Sequence, residues 1–134
     1  MFHLIKILNG RIGVPEPERI TLASAATVSY GTPVCIKGGT LTPVTASSAI
    51  FPTHLVLKDS TGSEVLVTRI SPEMIFEVKT AAAPSTLSVG TEYLLSADGK
   101  ALSGTAASGD KRGAYLINKA GAREIGDTVC VAFR

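Results

Sequence analysis

From Ile20 onward the chain is a series of short apolar runs separated by turn signals. Pro33 to Lys37 predicts a strand that ends in the tight turn Gly38-Gly39. His54 to Lys58 and Glu64 to Ile70 predict two strands around Asp59-Ser60-Thr61-Gly62. Met74, Phe76 and Val78 alternate with Ile75, Glu77 and Lys79, the period-two signature of a half-buried strand. Glu92 to Ser96 runs into the hairpin pair Asp98-Gly99 and returns through Ala101-Leu102. Ala114 to Asn118 and Thr128 to Phe133 close the chain, with Val129, Val131 and Phe133 on one face. Helix signals are confined to Leu22 to Val28 and to Ser71-Pro72-Glu73. The pattern predicts an all-β fold: a small barrel or sandwich of short antiparallel strands with an extended N-terminal arm. The expected core is Val34, Ile36, Leu55, Leu57, Val65, Val67, Phe76, Val78, Leu94, Val129, Val131 and Phe133.

One element recurs. Tyr30-Gly31-Thr32, Val89-Gly90-Thr91 and Ile125-Gly126-Asp127 each place an apolar or aromatic residue, a Gly and a small polar residue ahead of an alternating strand. Gly permits a turn with positive φ, and the Thr or Asp side chain can bond nearby backbone. The repetition points to a barrel-like unit built from similar hairpins.

Residues 1–19 read as a separate arm, and 20–134 as a single β-barrel-like domain. Phe2, Leu4, Ile5, Ile7 and Leu8 crowd into the opening, followed by the turn-rich Asn9-Gly10-Arg11-Ile12-Gly13 and by Val14-Pro15-Glu16-Pro17. Burying the five apolar residues yields about 8–15 kcal/mol as an upper bound. Ordering roughly ten residues costs on the order of 10–20 kcal/mol of backbone entropy. The arm therefore needs a surface that also satisfies its backbone, such as a sheet edge. That edge belongs either to a partner or to the chain's own barrel. Pro15 and Pro17, as a stiff spacer, favour the partner. On that reading, deleting residues 1–13 leaves a domain that still folds.

Composition narrows the function. The 134 residues suit one domain, with a core that needs neither disulfides nor metals. The net charge of +2 is spread out, with Lys111-Arg112 the only adjacent basic pair. This argues against nucleic acid as a partner, which needs a basic patch or stripe. No run approaches a membrane span, and the apolar opening is too short for a signal peptide, so no membrane partner is expected. Cys35 and Cys130 sit in apolar runs, far apart and outside any CxxC pair, and are expected as buried free thiols. His3 and His54 are the only imidazoles, and no Gly-x-Ser-x-Gly elbow, metal-spaced ligand cluster, phosphate loop or dinucleotide fingerprint occurs. No catalytic residue, metal or cofactor is expected. Ala81 to Thr86 and Ser103 to Gly109 read as bland loops.

Trimeric nucleotide hydrolases similar to dUTPases match in size and fold class, but their Pro-Arg-Ser-Gly and Gly-x-Ile-Asp motifs do not occur here. The opening Met1 to Pro15, joined to strands such as Gly126-Asp127-Thr128-Val129-Cys130-Val131, resembles the decoration (cement) proteins of tailed-phage and prophage heads. The resemblance covers most of the chain at the level of pattern. Where some decoration families carry a polar arm, this one is apolar. The resemblance implies a non-enzymatic virion protein, made in the host cytoplasm and seated on the capsid exterior. It further implies a homo-oligomer, with a trimer favoured, bound to the major capsid protein through Phe2, Leu4, Ile5, Ile7, Leu8, Ile12 and Val14. The alternative is a tail- or surface-associated β domain that binds a host ligand.

Overall fold

The computed structural model describes residues 1–7, 16–45 and 50–134. Among them the chain is almost wholly β. Its strands are β1 (His3–Ile7), β2 (Glu18–Thr21), β3 (Pro33–Lys37), β4 (Thr40–Pro43), β5 (His54–Val56), β6 (Glu64–Arg69), β7 (Met74–Thr80), β8 (Glu92–Leu95), β9 (Ala101–Ala106), β10 (Ala114–Asn118) and β11 (Thr128–Ala132). A single 3-10 turn at Pro84–Thr86 opens on proline, whose fixed φ suits a helical first turn. Neither helix signal of the sequence becomes a helix: Ser71-Pro72-Glu73 is a turn, and the stretch 22–28 is irregular.

β7 organises the larger sheet. One of its edges pairs antiparallel with β11, from Phe76 opposite Val131 to Lys79 opposite Thr128. Its other edge carries β1, antiparallel, and then β9, parallel, at Lys79–Ala101 and Thr80–Leu102. β11 continues to β10, β8 and β9. The pairing thus returns to β7 and closes a five-stranded barrel, with β1 lying alongside. Closure removes most of the exposed edges that an open sheet would present.

The recurring Gly element is one device used three times. Gly31, Gly90 and Gly126 have φ of 73°, 89° and 93°, a region that costs other residues a steric clash. Each Gly N–H donates to the carbonyl of a neighbouring segment: Val56 at 2.8 Å, Leu116 at 2.9 Å and Thr80 at 2.9 Å. Each turn thereby sets the start of the strand that follows, β3, β8 or β11.

β2, β6, β5, β3 and β4 form a second, antiparallel sheet in that order. Its strands alternate between two cores. Leu55 joins the barrel cluster of Phe2, Phe76, Leu95, Leu102, Leu116, Val131 and Phe133. Val56 and Val67, paired across β5 and β6, join a separate aliphatic cluster with Leu22, Val28, Val34 and Val65. Of the twelve expected core residues, ten are buried, and Ile36 and Leu57 are half-buried.

The division at residue 19 does not match these pairings. His3–Ile7, expected in a separate arm, is a strand of the larger sheet, and β2, Glu18–Thr21 of the second sheet, runs across the expected boundary. The sheet edge that satisfies the opening segment is the chain's own β7. Ser103 to Ala106, read as part of a loop, completes β9.

Candidate functional site

β1 is the most apolar strand at the end of a sheet, and it opens the strand order of the larger one. A register shift between Leu4 and Lys6 breaks its alternation. Phe2, just ahead of the strand, is fully buried, and its N–H donates to the Gly31 carbonyl at 3.0 Å. Leu4 is half-buried against the barrel cluster. Ile5 is 48% exposed.

A cleft of about 430 Å³ lies between β1 and the second sheet, walled by Phe2, Leu4, Leu55 and Leu57. Tyr30, Glu16 and Pro17 also line it, with His3. The Tyr30 hydroxyl lies 2.9 Å from His3 Nδ1, and the two rings lie 5.5 Å apart. Thr68 lines the cleft as well, and its buried hydroxyl has no hydrogen-bond partner among the described residues. A second hollow of about 370 Å³, formed by Met1, His3, Glu77, Val78, Lys79 and Thr128, is more polar.

The expected partner residues therefore divide. Phe2 is corrected from partner contact to core residue, because its ring packs against Phe133 in its own barrel. Leu4 is brought to the cleft, and Ile5 is exposed on β1, an edge strand among the described residues. The backbone of Ile7 ends that strand. Leu8, Ile12 and Val14 lie outside the described residues. Exposed apolar side chains that the sequence did not single out are Met1, Ile50, Val89 and Ile125. Val89 and Ile125 hold the position before the Gly in two of the three repeated turns, so the repeat carried the signal.

Cys35 is free and half-buried, and Cys130 is free and buried. Burial, with a smaller contribution from Glu77, pushes the Cys130 thiol up and away from the reactive thiolate. No group of three or more His, Cys, Asp or Glu side chains placed to hold a metal occurs among the described residues. No helix among them is long and apolar enough to cross a membrane. Comparison with known protein families and with curated proteins finds no match to this chain.

Proposed function

We propose that this chain is a non-enzymatic structural protein that decorates the exterior of a tailed-phage capsid by binding the major capsid protein. The observation that carries this reading is the edge of β1 that no strand pairs among the described residues, with Ile5 exposed on β1 and the apolar cleft of Leu4, Leu55 and Leu57 beside it. An edge strand presents unpaired N–H and C=O groups, which a partner strand can extend. The cleft supplies a pocket for an apolar side chain of that strand. Such a site needs shape and backbone geometry, not reactive groups. The assembled form in this reading is a homotrimer, whose repeated weak contacts add as avidity.

The test is co-sedimentation of the purified protein with shells of the capsid protein. Saturable binding in fixed ratio to capsid subunits supports the reading, and no binding overturns it. Ile5→Glu tests the edge. It should melt within a few degrees of the parent yet bind at least tenfold more weakly. Unchanged binding would remove β1 as the contact. Light scattering decides the trimer.

A further inference from the structure

We infer that His54 is a pH-sensitive latch of the second sheet, holding β5 closed while its ring is neutral and loosening that sheet, ahead of the barrel, when the ring takes up a proton. His54 lies on β5 between Val34 of β3 and Arg69 of β6, and the residue is only 7% exposed. Its Nδ1 is 2.7 Å from Thr53 Oγ1, which also accepts the Ile36 N–H at 3.0 Å. Its Nε2 is buried with no partner among the described residues.

A neutral imidazole fits this setting. Either the Thr53 hydroxyl donates to Nδ1, or Nδ1–H donates to Thr53 Oγ1. A protonated ring carries a hydrogen on both nitrogens. Nδ1–H can use Thr53, but Nε2–H then has no acceptor among the described residues, and the charge has little solvent. The charged groups that act on the ring are Arg69 on β6 and Glu18 on β2, while β3 contributes the apolar Val34. Arg69 repels the added charge, and Glu18, 3.8 Å from the Arg69 guanidinium, only partly offsets it. Burial is the largest cause, Arg69 adds to it, and the ring is held below its ordinary value of 6.5.

The sign follows. Below pH 6.5 the opened or unfolded chain binds the proton more readily than the closed sheet, so closure weakens as pH falls towards the lowered value. The ring reaches water by parting β5 from its neighbours. β5 spans only His54–Val56; its Val56 packs in the separate aliphatic cluster, and Leu55 is its one contribution to the barrel cluster. Local opening without loss of the barrel is the expected response.

Amide hydrogen exchange at pH 7.5 and pH 5.5, corrected for the intrinsic effect of pH, tests this on the full chain. In the parent, amides of β3, β5 and β6 should lose protection at the lower pH, by up to about tenfold, because pH 5.5 lies one unit below the ordinary value of 6.5. Those of β7 and β11 should not. His54→Leu should abolish the loss, and Arg69→Gln should reduce it. A parent whose second sheet is equally protected at both pH values overturns the inference, as does a His54→Leu variant that loses as much as the parent. If His54→Leu does not fold, an NMR titration of the parent decides: a His54 pKa below 6.5 supports the latch, and one at or above 6.5 refutes it.

Discussion

The rings of Phe2 and Phe133 meet with their centroids 5.2 Å apart and their planes tilted by 46°. Phe133 also makes edge contacts with Phe76 at 5.6 Å and Phe51 at 6.4 Å. Aromatic pairs of this geometry add to the burial of their area. The residue that leads into β1 and the residue that follows β11 thus fill the same barrel, and both are fully buried. Phe2→Ala should cost about 3–5 kcal/mol. Denaturant unfolding should show a lower midpoint with an unchanged slope. Deleting residues 1–13 removes the same ring and all of β1, so the deletion should destabilise the fold rather than leave it intact. A deletion variant with the parent's midpoint would show that β1 is dispensable to the barrel.

How far the sequence could show this depends on the kind of signal. Val129, Val131 and Phe133 alternate in the sequence and share the barrel cluster, although Cys130 and Ala132 between them are buried too. The three Gly turns were legible because positive φ has a residue signature. The closure of the barrel was not. It rests on a parallel contact of two residues on each strand, Lys79–Thr80 with Ala101–Leu102, which leaves no periodic trace. Leu4 and Ile5 were legible as apolar residues seeking a sheet edge. Their sequence held nothing to say whose edge, and Pro15 and Pro17 argued for the wrong one. Thr68 could not have been found, because the cleft it lines is assembled from residues far apart in sequence, such as Phe2, Leu4 and Leu55.

Gly113 and Gly126 should respond differently to alanine. A Cβ on Gly113 falls 1.8 Å from the Tyr93 carbonyl oxygen, so β10 and β8 must separate to admit it. A Cβ on Gly126 meets nothing within 4 Å, and its only cost is the backbone at φ 93°. Gly126→Ala should lose about 1–2 kcal/mol. Gly113→Ala should lose several kcal/mol or fail to fold, since overpacking against backbone cannot be relieved by a rotamer change. Thermal melts of the two variants check the order, and Gly126→Ala as the worse of the pair would contradict it.

The two thiols should be separable by rate. Cys35 is half-buried, whereas Cys130 is buried in β11 and its thiol is pushed above 9.0 by burial and by Glu77. In the native protein an aromatic disulfide reagent should titrate Cys35 first, with Cys130 following only as the fold opens. Under denaturing, non-reducing conditions two thiols should be counted. Equal native rates at both positions would mean that β11 is not sealed by the barrel.

Asp127 should tie acid stability to the turn between β10 and β11. One of its carboxylate oxygens, Oδ2, accepts the N–H groups of Arg123 at 2.8 Å and Glu124 at 3.0 Å. Those two bonds hold its carboxyl below the ordinary 3.8. Its backbone carbonyl accepts the Thr80 N–H at 3.0 Å, and the neighbouring Gly126 N–H returns a bond to the Thr80 carbonyl. The turn is thereby clipped to the end of β7. Because the folded value lies below the unfolded one, the charged carboxylate stabilises the turn above pH 3.8. That contribution is lost as pH falls through the folded value. Asp127→Ala should lower the melting temperature at neutral pH and flatten its further fall below pH 4. Asp127→Asn keeps an oxygen acceptor and should recover part of the neutral-pH loss, but not the acid dependence. Melting curves from pH 7 to pH 2 on the three proteins test this, with exchange of the Arg123 and Glu124 amides as the local readout. An Asp127→Ala variant whose acid limb overlays that of the parent would show that other carboxylates set the response.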